Sequence, residues 1–517
     1  MSDISPYFTN LDKPVFGLKL PPEIAAMLFS RYSRSTKPLR SLFAEEFLPL
    51  LERDSSAFNL GQQSQEKTQQ FFDRVLVGYG DDSVSQLGGA HIAMEGISQI
   101  AELFFTDARI GVAPLVKSTR YVRFDQKNEK GEYGYYTPAS LPEHLLTQYK
   151  HVMDLLFNTY AAQIDPVRHW LTTQIPFESM ELRHPQTGDV RLGKEWGEEK
   201  WAYSAYQSSI RAKACDILRA YLPASTLTNM GIFASGQAWE HLIRKGLSLF
   251  SIEIPDLVLS VKEELQQLIP SFVKRAVPSQ YLSETQRNLD LFLTNGWQEY
   301  ADDMSPVQLV EYNINHDFYV LQAIVFSYGK QIPNDRETLL KTYIGERKSR
   351  RDKPGRALEH AEYTFRFLGN LGIYRDLHRH RILTQNRQPI SAAYGYDTPQ
   401  ELVDMGYQQI FQNCMEQAKD LYTRIAALSP TTAQYCVPFA YKQKWYMKMN
   451  LREALHICEL RSMPQGHPDY RKIAQQIWRQ ITAAHPLFQH IINFVDFNDY
   501  SLGRMNAEAK EHVKSFH

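Results

Sequence analysis

Apolar and polar positions alternate most cleanly over Glu362-Tyr-Thr-Phe-Arg-Phe-Leu368, where Tyr363, Phe365 and Phe367 fall on one side of a two-residue repeat. That alternation predicts a strand with one buried face. Elsewhere the apolar spacing is helical. An Ala/Leu/Ile-rich stretch from Ala212 to Leu222 is closed by Pro223, and a second helix from about Asp256 to Leu268 is ended by Pro270. Asn450 to Arg461 and Tyr470 to Ile481 are two more. A short helix is expected between the strand and the basic triplet Arg379-His380-Arg381. The charge-rich runs Gly193 to Lys200 and Gly345 to Arg356 read as exposed loops or helix faces, the second basic enough to hold an anion.

The order of segments repeats along the chain. Gly78-Tyr-Gly-Asp-Asp-Ser83 leads into an apolar-patterned run, Ala90 to Phe105, then Ser118-Thr119-Arg120-Tyr121 and Tyr133-Gly-Tyr-Tyr-Thr-Pro138. Later, Ala357-Leu-Glu359-His360 leads into the predicted strand, then the triplet, Ser391-Ala-Ala-Tyr394 and Tyr394-Gly-Tyr-Asp-Thr-Pro399. The shared Tyr-Gly-Tyr-x-Thr-Pro string stands at the same place in both orders. Phe233 to Arg244 likewise corresponds to the Asn450 to Arg461 helix. A period this long is not that of a solenoid. It predicts duplication of a whole domain, with the boundary where Pro278 and Ser279 interrupt the helical pattern: residues 1–277 and residues 285–517.

Composition narrows the classes. A chain of 517 residues exceeds one ordinary core, so two domains are expected. A formal net charge of −1 argues against a whole-protein grip on nucleic acid or an anionic membrane, so an anion site must be local. Cys215, Cys414, Cys436 and Cys458 lack thiolate-zinc spacing, which fits a reducing compartment. The sequence has no apolar run of the ~20 residues that span a bilayer, and a cytoplasmic location is the expectation.

Candidate chemistry centres on guanidinium. The triplet places two planar, permanently charged donors around an imidazole, a set suited to phosphate oxygens, although cations also answer the dipole at a helix end. On the helix beginning at Asn450, Asn450 and Arg461 project at nearly one angle, while Arg452, His456 and Glu459 form a second stripe. His378-x-His380 has a metal-like spacing, but on a helix the two rings diverge around a repelling Arg379, so no metal site is expected. Ser118 has no base at an activating spacing and reads as a ligand contact.

At these residues the chain resembles the flavin-dependent thymidylate synthases, whose pattern is an Arg-His-Arg triplet, a Ser-x-Arg-Tyr segment, and an Asn-x-Arg helix ending in another Arg. Arg379-His380-Arg381, and Asn450-x-Arg452 with Arg461, match in the second half; Ser118-Thr-Arg120-Tyr121 and Arg244 match in the first. Thr106 to Ile110 stands where the first triplet would be, Phe233-Ala-Ser235 where the first Asn-x-Arg would be, and Ser391-Ala-Ala393-Tyr394 has lost its arginine. Each half keeps what the other lacks.

The resemblance implies an α+β protein of two homologous domains, each an antiparallel sheet packed with long helices. It implies FAD held by Arg379, His380, Arg381, Asn450, Arg452 and His456. The substrate dUMP would be held by Ser118, Arg120 and Tyr121, with Arg461, and Arg244 as its counterpart, stabilising charge on the pyrimidine. Methylenetetrahydrofolate and NADPH are the implied co-substrates, and a homodimer would rebuild the family's four-domain assembly. Two alternatives share this scaffold: a flavin- or nucleotide-binding regulatory protein without turnover, and a related pyrimidine-nucleotide-modifying flavoenzyme.

Overall fold

The computed structural model describes residues 3–53, 81–197, 199–294, 305–491 and 493–515. The Gly78-Tyr-Gly start of the first repeat lies outside them. Contacts divide the chain into two compact units, and the division does not follow chain order. One unit comprises residues 1–97, 101–117 and 228–299; the other comprises residues 98–100, 118–227 and 300–517.

In the first unit, strand Thr228–Ser235 lies between Gly89–Ile97 and Val112–Val116, antiparallel to both. Helix Gly236–Leu247 follows directly, capped by the Ser235 hydroxyl, which accepts from the Ala238 N–H. Trp239, Leu242 and Ile243 on that helix pack with Val258, Val261 and Leu265 of helix Ile254–Leu268 beside the sheet.

The second unit is built from α1 (Glu143–Gln174), α2 (Lys200–Leu218), β1 (Val307–Tyr312), β2 (Glu362–Asn370), α3 (Leu371–Leu377), β3 (Thr384–Arg387), α4 (Gln408–Ala426), β4 (Lys442–Asn450), α5 (Leu451–Arg461), α6 (Pro468–Ala484) and α7 (Met505–Ser515). Its sheet runs β1-β2-β4-β3, all antiparallel. Without the edge strand β1 it has the order of the first unit's sheet, a topological counterpart of the sequence repeat. The alternation in β2 is as expected: Tyr363, Phe365 and Phe367 are fully buried. Opposite Phe367, Trp445 stacks on it with ring centroids 5.1 Å apart and planes 10° from parallel. Outward-facing Glu362 instead pairs with Lys448 across the strands at 3.1 Å.

Both short connections out of these strands are set by asparagine. Asn370 Oδ1 accepts from the Ile373 N–H at 3.0 Å and starts α3; Asn450 Oδ1 accepts from the Glu453 N–H at 2.9 Å and starts α5. The segment between α2 and residue 226 runs beside residues 435–440, with backbone bonds from Ala224 N to Val437 O and from Phe439 N to Leu222 O. Helix α1 packs on α4 and α2 on α7, so the segment 118–227 is built into this unit.

Candidate functional site

Helix α3 ends at Leu377, and the basic triplet begins in the turn just beyond it. His378 and Arg379 both turn back on the helix. His378 Nδ1 is 3.2 Å from Tyr374 O and its ring stacks on Tyr374, while Arg379 Nε donates to Arg375 O at 3.2 Å. These bonds answer the terminal carbonyls of α3, as cations at a helix end do. The expectation of a helical His378-x-His380 is thereby corrected, because the helix stops one residue short of it. The guanidinium groups of Arg379 and Arg381 belong to exposed residues.

His380 turns the other way and is buried. Its Nε2 accepts from Arg461 Nε at 2.9 Å, so its proton sits on Nδ1, 2.9 Å from Glu453 Oε1. Burial, and then the Arg461 guanidinium, hold this imidazole well below its ordinary pKa. Burial pushes the Glu453 carboxyl up to about 7, against the pull of Lys353, Arg452 and Arg461. A neutral imidazole thus joins a cation to a carboxyl that changes charge near neutrality.

Arg120, from the other half of the chain, reaches the same region. Its Nε and one terminal nitrogen make a two-pronged bond with Asp216 on α2, at 2.7 and 2.9 Å, and its other nitrogen donates to the Tyr470 hydroxyl at 2.9 Å. Arg504 shares Asp216, bonding both carboxylate oxygens at 3.0 and 2.8 Å. Burial would raise the Asp216 pKa, but these two guanidinium groups hold it well below the usual carboxylate range. Tyr470 then links the halves: Arg120 lies 5.4 Å and Arg461 5.8 Å from its ring centroid, within cation–π range.

Asp376, on α3, bonds Arg219 at 3.1 Å. Its carboxyl is also held low, against burial, by Arg219, Arg120, Arg379 and Arg461. Arg120, Arg379 and Arg461 therefore all act electrostatically on one carboxylate. Asp216, Asp376, Glu453, Tyr470 and Arg504 were absent from the sequence-derived set. Only Glu453 carried a local signal, three residues after the capping Asn450.

The remaining predicted residues are placed differently. Ser118 accepts from the Arg120 N–H at 3.2 Å inside a turn, and the exposed ring of Tyr121 faces Arg504 at 4.4 Å. Asn450 is engaged at the start of α5, where its side-chain oxygen caps the helix. The second stripe of α5 is real and faces residues 347–359. Arg452 donates to Pro354 O at 2.8 Å and Glu359 at 3.0 Å, His456 meets Lys353 at 2.6 Å, and Glu459 meets Arg347 at 2.6 Å. Arg244 belongs to the other compact unit, largely exposed with Glu240 4.0 Å away.

A cavity of about 380 Å³ opens beside Asp216, Arg219, Asn370, His467, Asp469 and Arg504, a size that admits a small organic ligand. Asn370 Nδ2 there bonds Asp397 at 3.0 Å and Asp469 at 3.2 Å. Among the described residues no cluster of His, Cys, Asp or Glu could hold a metal ion, and no helix is long and apolar enough to cross a membrane.

Antiparallel sheets with a recurring strand order, each feeding a capped helix, and a guanidinium cluster fed by both halves of the chain define an α+β class built on a doubled unit. The chain belongs to the thymidylate synthase complementing protein family, whose model matches residues 51–271 and 308–487. It is 38% identical to a protein of Chlamydia muridarum named UPF0159 protein, over 98% of this chain and 97% of that one. A UPF0159 protein of Chlamydia pneumoniae is also 38% identical, over 98% and 96%. UPF0159 protein Ta1429 of Thermoplasma acidophilum is 32% identical over 94% of this chain and 98% of its own.

Proposed function

We propose that the protein methylates dUMP reductively to dTMP, with FAD, methylenetetrahydrofolate and NADPH, in the manner its family name suggests. The observation that carries this reading is the meeting of Arg120 and Arg461 on Tyr470. Family membership supports a thymidylate-synthase-like, flavin-dependent chemistry, and the donor set fits it. Exposed guanidinium groups at Arg379 and Arg381 suit a cofactor diphosphate. When bound, FAD would supply the hydride chemistry.

The chain's own residues orient and stabilise. His380 fixes Arg461 through Nε, and the guanidinium, beside Tyr470, would face negative charge developing on the pyrimidine. Glu453 fixes the His380 tautomer. Arg120 with Ser118 and Tyr121 would approach the nucleotide, and Asn450, Arg452 and His456 the flavin; Arg244 is the first half's counterpart of Arg461. We place these roles on a tandem of residues 1–277 and 285–517 that pairs as a cytoplasmic homodimer.

One observation favours a second reading, a flavin- or nucleotide-binding regulator. Arg120 directs its bonds to Asp216, Tyr470 and the Gln465 carbonyl, so a nucleotide phosphate must compete with them. Complementation of a thymidine-requiring strain separates the two. Growth without thymidine, lost with Arg461→Ala by at least about 10²-fold in dTMP formation, is the expected result. Soluble, flavin-loaded protein that forms no dTMP from dUMP would overturn the catalytic reading.

A further inference from the structure

The basic loop between helix Arg336–Ile344 and β2 is unlike an ordinary solvated charge run, because it is folded and fixed. Arg347 is buried and makes a two-pronged ion pair with buried Glu459 on α5, at 2.6 and 2.7 Å. Its Nε donates to Asp352 O at 2.7 Å, closing the loop on itself. The Asp352 carboxylate then accepts from the Lys348 and Ser349 N–H groups at 2.8 and 2.9 Å. A loop held at these points presents its remaining side chains in a set arrangement.

Most of those side chains are cations that form no ion pair among the described residues. Between residues 347 and 353 stand Arg347, Lys348, Arg350, Arg351 and Lys353 against the single carboxylate of Asp352. Arg347 is neutralised by Glu459 and, a few residues on, Arg356 and Arg452 share Glu359. Among the described residues, the side chains of Lys348, Arg350 and Arg351 have no ion pair. Lys353 donates from its ammonium to the neutral His456 Nδ1 at 2.6 Å, with the Glu453 and Glu459 carboxyls in electrostatic reach. That bond puts the His456 proton on Nε2, a donor with no partner among the described residues. Burial, then Lys353 and Arg350, hold the His456 pKa down at about 4, and Lys353 is also held below its ordinary value, by burial foremost. The like charges are close enough to penalise one another, and a bound anion would relieve them.

We propose that Arg350 and Lys353 form a seat for a phosphoryl or pyrophosphoryl group, with Lys348 and Arg351 at its rim. The seat draws on neither Arg379 nor Arg381 and stands whether or not the protein methylates dUMP. It accepts a phosphate ester carried by a substrate or co-substrate. Charge-assisted bonds from a fixed donor set supply the affinity, and salt weakens it.

Inorganic pyrophosphate titrated calorimetrically into the full-length protein tests it, once as purified and once saturated with FAD. Saturable binding in both states is expected, at least about tenfold weaker in Arg350→Ala/Lys353→Met, whose melting temperature stays near that of the parent. The ¹⁵N signals of His456 should move on binding. Pyrophosphate binding that vanishes on FAD saturation would overturn the seat as a separate site. Absence of saturable binding, or equal binding by the double variant, would overturn it altogether.

Discussion

Glu453 is the residue whose titration is easiest to see. Its carboxyl rises from 4.5 to about 7 on folding, so between those values the folded chain holds a proton that the unfolded chain has released. Its share of stability is therefore full below about 4.5 and is lost as pH rises through about 7. His456 has the opposite sign: its pKa falls from 6.5 to about 4, so its share is present above about 6.5 and is lost as pH falls. Glu453→Gln keeps an acceptor for His380 Nδ1 and removes the first effect. It should melt with the parent at pH 5 and above it at pH 8, by up to about 3 kcal/mol. Equal melting of the two proteins at both pH values would show that Glu453 does not carry that proton. Asp216→Asn should act more severely, leaving Arg120 and Arg504 buried without their shared carboxylate and costing roughly 3–5 kcal/mol in urea unfolding.

At the scale of elements, the capping asparagines separate structure from ligand binding. Asn450→Ala should cost about 1 kcal/mol through the start of α5, and Asn450→Asp should restore it. If flavin absorbance also returns with Asp, Asn450 acts as a cap; if stability returns without flavin, its amide nitrogen touches the cofactor. Regular elements were legible in the sequence because their causes are local. Tyr363, Phe365 and Phe367 announce β2, and Pro270 follows the helix end at Leu268, whereas α2 stops at Leu218, short of the Leu222 expected from Pro223. The face of α5 carrying Arg452, His456 and Glu459 was also legible, but its partner was not, since Lys353 and Arg347 lie over a hundred residues upstream in each case. Asp216 has Arg120 as partner 96 residues away and Arg504 288 away, and no periodicity encodes such a meeting. The site was thus read as its cations, without the carboxylates that hold them.

At the scale of the molecule, the repeat and the compact units partition the chain differently. Residues 118–227 belong to the first half by sequence order and to the second unit by contact. Along α1, Tyr149, Val152, Leu156 and Tyr160 are buried, and Thr159 approaches Cys414 of α4 at 3.6 Å. Residues 1–277 expressed alone would lose the α4 cover of α1, and residues 285–517 alone would lack α1 against α4. Each fragment should be insoluble or give a collapsed NMR spectrum, while co-expression should recover dispersed signals; a well-folded 1–277 fragment would refute the assignment.

The same interleaving bears on birth at the ribosome. Helix α1 leaves the exit tunnel with its partner α4 still unmade, roughly 250 residues short of completion. At elongation speeds of ~5–20 residues per second the wait is on the order of tens of seconds. Through that interval the part of α1 that α4 will cover stands open, so holdases that shield nascent chains should raise the yield of this polypeptide.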